Sequence, residues 1–219
     1  SWDGTSMASP LAASCIGLLT SFNPDWGNEQ LETMIVATAD PRTYTVNTEG
    51  YLQGKLGAGR VDVYRSLLTP LFPKIDIAAI DYQIIGGNSD NIIDAGESLN
   101  LSTILLNDPE WGEAINPSIT LNSLSNYITV INPNQSIDNI ISGDVYINDA
   151  NPFEVLISEN IPVGEYELEL SFSSNDYSYT GSSFNSIYET KDTLSISVQN
   201  PLFSDTFIPE EFEILNPFP

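Results

Sequence analysis

Apolar residues recur at Ala8, Leu11, Ala12, Cys15, Ile16 and Leu19, a spacing of three and four that predicts a helix over 7–19. Small residues (Ala8, Ser9, Ala12, Ala13, Ser14 and Gly17) cover much of its circumference, so neighbours can approach from several sides, as they do around a central helix. Pro10 is placed in the first turn, where its missing N–H costs little. Asn23-Pro24-Asp25 ends the pattern. A second helix is predicted over 28–38, with Leu31, Met34 and Ile35 inward. After a turn at Gly57-Ala58-Gly59, a short amphipathic helix carries Val61, Tyr64, Leu67 and Leu68.

Beyond Thr69-Pro70-Leu71-Phe72-Pro73 the period becomes two, and the prolines mark a linker. Tyr166, Leu168, Leu170 and Phe172 alternate with Glu165, Glu167, Glu169 and Ser171, the signature of a strand with one face in a core and one in water. Leu99, Leu101, Thr103 and Leu105 alternate with Asn100, Ser102 and Ile104 less cleanly. Further strands are predicted at 75–85, 118–124, 128–132, 153–158 and 193–199. Short strands divided by Gly, Pro, Asn and Asp clusters predict an all-β sandwich of about 125 residues. The expected organisation is a helical α/β piece over 1–70, a β-sandwich over 71–200, and an acidic, proline-rich tail over 201–219. There is no internal repeat.

Composition sharpens this division. The chain carries 6 basic and 30 acidic residues, a formal charge of −24, while 41% hydrophobic content places it among globular proteins. Seven acids and four bases fall in 1–70, against 23 acids and two bases in 71–219. So negative a surface excludes nucleic acid and anionic membranes as partners, since both need Lys and Arg to neutralise phosphate. The lone Cys15 forbids an intrachain disulfide. No apolar run approaches 18 residues, so no membrane span is expected. The opening Ser-Trp-Asp lacks the basic region of a signal peptide, and the chain is expected to be a piece of something longer. It contains no histidine.

The chemistry lies in Gly4-Thr5-Ser6-Met7-Ala8-Ser9-Pro10, at the head of the small-residue helix. A serine there sits beside N–H groups with no helical acceptor, at the positive end of the helix dipole. An oxyanion forming beside Ser6 would meet a donor already in place. Gly4 lets the chain turn into the helix and leaves room for substrate backbone. Helix capping by Thr5 or Ser6 is the alternative use of the same residues. The complete string resembles the nucleophile signature of the subtilisin-like serine proteases. Gln30-Leu31-Glu32-Thr33-Met34-Ile35 with Thr38-Ala39-Asp40 is similar to that family's next helix and its ending. Leu56-Gly57-Ala58-Gly59-Arg60-Val61-Asp62 is similar to the segment before its last catalytic-domain helix. Leu11 stands where many members have His, which is not a triad residue.

The resemblance covers 1 to about 69 and implies that this piece is the C-terminal part of a subtilisin-like catalytic domain. It implies Ser6 as nucleophile, with Gly4 and Thr5 shaping the site, protein or peptide substrates, and no cofactor for the chemistry. The triad order in that family places Asp and His, and the oxyanion Asn, before the nucleophile. Without histidine the fragment itself is expected to be inactive. It also implies that the helix over 7–19 exposes apolar surface, because the sheet it should pack against is mostly missing.

Asn88-Ser89-Asp90-Asn91-Ile92-Ile93-Asp94-Ala95-Gly96-Glu97 spaces oxygen side chains so that Asn88, Asp90, Asp94 and Glu97 can serve calcium, which takes six to eight oxygen ligands. An Asx-rich turn before a strand is the alternative. The stretch resembles the start of immunoglobulin-like domains appended to secreted bacterial proteins, which implies an immunoglobulin-like sandwich. Asp76 with Asp81, and Glu165, Glu167 and Glu169, read as solvated carboxylates rather than a catalytic pair. Trp2, Trp26 and Trp111 are scattered and read as packing residues. Asn216-Pro217-Phe218-Pro219 resembles the start of sorting tails on secreted bacterial proteins, which implies a secreted or cell-surface location of bacterial type. The expected activity is that of a secreted serine endopeptidase, with a non-catalytic binding or scaffolding module as the alternative: a pseudoenzyme, or a sandwich that binds calcium or carbohydrate.

Overall fold

The structure is a computed structural model that describes residues 4–175, 177 and 187–199. Trp2 and the expected tail over 201–219 lie outside them. Four helices come first: α1 (Thr5–Phe22), α2 (Asn28–Ala37), α3 (Thr43–Val46) and α4 (Val63–Leu68), with one 3₁₀ turn at Gly50–Leu52. Ten strands follow: β1 (Ile75–Ile85), β2 (Ile93–Asp94), β3 (Ser98–Asn107), β4 (Ser118–Ser123), β5 (Ile128–Ile131), β6 (Asn134–Ser136), β7 (Val145–Ile147), β8 (Phe153–Ile157), β9 (Gly164–Asn175) and β10 (Ile187–Gln199).

The long helix begins earlier than its apolar pattern suggests, so Pro10 is its sixth residue and not part of its first turn. Of the expected buried face only Leu19 is buried; Ala12 and Cys15 are half-buried and complete a narrow seam. Leu11 is 68% and Phe22 64% exposed. The expected apolar exposure of this helix is therefore present. By length and composition α1 could cross a membrane, which corrects the expectation that no stretch has that capacity. Serines and threonines break up its apolar run. Three of them nevertheless turn back onto the helix, Ser14 donating to the Pro10 carbonyl, Thr20 to Ile16 and Ser21 to Gly17.

In α2 the Gln30 carboxamide oxygen accepts the Gly27 N–H, and Leu31, Met34 and Ile35 are buried as their spacing predicts. The fourth helix departs from its pattern. Asp62 accepts the Arg65 N–H and caps it, so Val61 falls outside the helix and Tyr64 is 62% exposed.

The strands form two five-stranded sheets. One runs β1-β3-β8-β5, with β7 also on β3; the other runs β2-β10-β9-β4-β6. Every pairing is antiparallel except β2 with β10. Leu99, Leu101, Phe153 and Val155 from the first sheet share one core with Ile119, Leu121, Leu168, Leu170 and Phe172 from the second. The two sheets therefore enclose a common apolar layer, as a sandwich does. The period-two reading holds strictly in β3, where every second residue from Leu99 to Asn107 is buried. Two of those buried residues are polar. Asn107 donates to the carbonyls of Gly112 and Ile140 and accepts the Lys74 N–H, while the Thr103 N–H bonds to Asn148 Oδ1. The short strands β2, β6 and β7 carry too few residues to show alternation. Along its outer edge β10 meets β2 only at Val198 and Gln199, so from Ile187 to Ser197 that edge has no strand partner among the described residues.

The expected linker is packed and not loose. Thr69, Phe72 and Pro73 are buried. Phe72 joins Leu19, Leu31, Met34, Ile35 and Tyr177 in a second core, meeting Tyr177 edge to face at 4.9 Å and 84°. Gly112 passes so close to this segment that a Cβ would lie 1.9 Å from the Leu71 carbonyl oxygen, while its N–H bonds to the Phe72 carbonyl at 2.8 Å. Lys74 pairs with Glu29 at 2.7 Å and lies over the Trp111 ring, and the Gln30 amide donates to the Glu110 carbonyl.

Phe72→Ala is expected to cost about 3–5 kcal/mol, the usual range for a fully buried phenylalanine. Urea unfolding followed by far-UV circular dichroism measures it. A loss below about 1 kcal/mol would mean that the Phe72–Tyr177 contact does not hold helices to sheets.

Candidate active site

Gly4 precedes α1 with φ 128° and ψ 174°, a conformation that side chains rarely adopt. Its carbonyl accepts the N–H groups of both Met7 and Ala8, at 3.0 and 3.1 Å. Helix geometry then leaves the N–H groups of Thr5 and Ser6 without an acceptor one turn back. Neither Thr5 nor Ser6 caps the helix with its side chain: the N-cap is Gly4, and no side-chain cap bond forms. Ser6 is exposed, and among the described residues nothing hydrogen-bonds its hydroxyl. No charged residue lies anywhere along α1, so the helix dipole at Ser6 is not offset from within the helix.

Pro10 adds something that its assignment to the first turn hid. As the sixth helical residue it stands four after Ser6, and it has no N–H to give the Ser6 carbonyl. The serine backbone is thus released from the helix ladder on both its donor and acceptor sides. Met7, Pro10, Leu11 and Ser14 line a shallow open recess one turn behind it.

The two later markers, far apart in sequence, meet in space. Asp40 and Arg60 pair through both backbone groups, at 2.7 and 3.1 Å. Gly59, at φ 137°, allows this approach, since a Cβ would lie 2.3 Å from the Asp40 carbonyl oxygen. The Asp40 carboxylate takes Arg42 Nη2 at 2.8 Å and Arg60 Nη2 at 3.0 Å. Hydrogen bonds from the Arg42 side chain and backbone hold that carboxyl far below the usual range, outweighing the opposing effect of burial, with the charges of Arg42 and Arg60 adding lesser help. The Ala39 carbonyl accepts from buried Arg65 at 3.5 Å, and the hydroxyls of Thr38 and Ser66 lie 2.6 Å apart. This knot joins the end of α2 to α4.

Asn88, Asp90, Asp94 and Glu97 are also brought together, in the segment joining β1 to β3. The Asn88 amide nitrogen lies 2.9 Å from Asp90 Oδ2 and 3.3 Å from Asp94 Oδ2. Glu97 Oε2 accepts the Asp94 N–H at 2.9 Å. The Asx-turn reading is also present here, in the Asp90 N–H bonded to Asn88 Oδ1 and the Ile92 N–H bonded to Asp90 Oδ1. Among the described residues no three acidic or cysteine side chains converge closely enough to hold a metal ion as they stand. Glu165 and Glu167 are exposed, and Glu169 pairs with Lys191 at 2.7 Å. They form no catalytic pair.

A depressed carboxyl stabilises the fold above the unfolded value near 4, and that contribution disappears as pH falls through the folded value. Asp40→Asn is therefore expected to lower the melting temperature at pH 5–7, with the difference from wild type closing as pH drops below about 4. Melting curves from pH 2 to 7 measure this, and a difference independent of pH would contradict the ion-pair assignment.

No curated protein matches the chain. Residues 1–59, which hold the Gly4–Pro10 string and the Asp40–Gly59 approach, match the model of the subtilase family (peptidase S8), which supports a serine-peptidase lineage for this segment.

Proposed function

We propose that residues 1–70 are the nucleophile-bearing C-terminal part of a secreted serine endopeptidase, acting on protein or peptide substrates. Ser6 Oγ attacks the scissile carbonyl carbon as an imidazole takes its proton. The resulting oxyanion is held by the Ser6 backbone N–H and by an asparagine side chain. Collapse expels the amine, which takes the proton from the imidazolium, and water then hydrolyses the acyl-enzyme by the same steps in reverse roles. The chain holds no histidine, so the base, its orienting aspartate and the asparagine come from outside these residues. Gly4 and Thr5 shape the turn that presents Ser6. No cofactor enters this chemistry, and the chain alone is inactive.

The observation that carries this reading is the exposed Ser6, released from the helix ladder at the positive end of an uncharged helix, within the segment that matches the subtilase family. The apolar surface left on α1 fits a helix packed on several sides in a larger catalytic domain. A non-catalytic scaffolding role is the second reading, favoured by the absence of histidine.

Residues 71–200 form, on this reading, a second domain of immunoglobulin-like type. Sheet orders β1-β3-β8-β5 and β10-β9-β4 are compatible with the ABED and GFC orders of that fold, while β6 lies beside β4 where a C′ strand would but follows β5 in the chain, unlike C′. Tyr166, near the start of β9, donates to the Pro162 carbonyl at 2.7 Å, as the tyrosine of the corner before strand F does. Appended sandwiches and the lineage of the N-terminal segment both suit a secreted or cell-surface protein of bacterial type.

The test is peptide hydrolysis by the gene product that contains this chain together with its histidine-bearing part. Ser6→Ala is expected to lower turnover roughly a millionfold, the loss seen when subtilisin itself loses this serine. The 219-residue chain alone should release no acyl product above background. Full activity of the alanine variant would leave the scaffolding reading.

A further inference from the structure

The β1–β3 segment contains two buried carboxylates that have no ion-pair partner among the described residues. Asp94 is 5% and Glu97 6% exposed. Asp94 Oδ1 is buried and has no hydrogen-bond partner, although its sister oxygen faces Asn88. Burying an ionised carboxylate oxygen without a donor costs several kcal/mol in general, so such an atom needs an explanation. Among the described residues no ammonium or guanidinium forms an ion pair with Asp94. From residue 71 onward the chain has only Lys74 and Lys191, and these pair with Glu29 and Glu169 elsewhere.

The neighbouring groups are oxygen donors of the kind that calcium takes. Asp90 and Glu97 line an open recess of about 520 Å³ at this end of the sandwich. Glu97 folds inward only because residue 87 is glycine: a Cβ there would lie 1.6 Å from Glu97 Oε1. Between Asp90 and Asp94 stands the NH₂ group of Asn88, which reaches both.

We propose that Asn88, Asp90, Asp94 and Glu97 form a calcium site, in which the ion replaces the Asn88 NH₂ group between the carboxylates and satisfies the orphaned Asp94 oxygen. The Asn88 amide turns over to present its oxygen, and Asp90 and Glu97 close on the ion. Without a cation, repulsion among three carboxylates keeps them apart, which is why they do not converge as they stand. Calcium is favoured over magnesium because its loose geometry tolerates ligands from a flexible turn completed by water, whereas magnesium demands a rigid octahedron.

Isothermal titration of the whole 219-residue chain, stripped with EDTA, tests the site with CaCl₂ as the probe and MgCl₂ at equal ionic strength as the reference. One saturable calcium site is expected, with a dissociation constant of about 10⁻³ M or tighter. Asp90→Asn, at an exposed position, should weaken it at least tenfold while leaving the fold intact. Asp94→Asn should weaken it likewise and melt no lower than wild type in EDTA, because it removes a buried uncompensated charge. Glu167→Gln, on an exposed face of β9, should bind as wild type does. Equal effects of calcium and magnesium would mean charge screening alone. That result, or wild-type affinity in both Asp variants, would overturn the proposal.

Discussion

The join of helices and sheets is centred on one aromatic contact, Phe72 against the edge of Tyr177. Phe72 reaches the helices through Leu19, Leu31, Met34 and Ile35, while Tyr177 is tied to the sandwich side by its hydroxyl, which donates to the Glu113 carbonyl and accepts the Ile115 N–H. The contact thus carries the helical segment on a hydrogen-bonded support. Gln30, Lys74 and Gly112 surround it with polar and backbone contacts that fix direction without adding much apolar area. Leu19, the buried end of α1, is part of this arrangement. The opposite end of that helix, at Ser6, has no comparable support among the described residues.

Much of the architecture was legible because burial here follows periodicity. Alternation located β1, β3, β4, β5, β8 and β9 within two or three residues, and in β10 it caught the half that buries Ile196 and Val198 but not the exposed half from Ile187. Where periodicity was silent, the reading lost detail. A strand of two or three residues such as β2 or β7 has no period, and only its backbone partners define it. The proline-marked linker misled for a different reason: Pro70 and Pro73 stop regular structure, but nothing in their identity forbids Phe72 from being buried between them.

The site was legible in its residues and not in its surroundings. Gly4 and Ser6 stand out by their string, yet the role of Pro10 was missed, because a place in the first turn made its missing N–H look costless when the Ser6 carbonyl is the group that goes without it. Asp40 and Gly59 were visible as separate markers. That they touch follows from the positive φ of Gly59 and the double backbone bond to Arg60, which sequence spacing does not encode. The acidic segment was visible as a donor set, whereas the orphaned oxygen of Asp94 depends on burial by the folded sandwich.

The unpaired outer edge of β10 bears on how the chain behaves in company. A long strand edge offers backbone groups to any other extended segment, and proteins restrain that tendency with charge. Glu189, Lys191 and Asp192 stand on this strand, in a region with a large excess of carboxylates. Mutual repulsion between copies therefore guards the edge, and its reach is the screening length of the medium, about 10 Å in 0.1 M salt and nearer 3 Å in 1 M. The same acidity that keeps neighbours away in dilute buffer fades in brine, leaving colloidal stability to the twist of the strand and the Lys191–Glu169 ion pair on it.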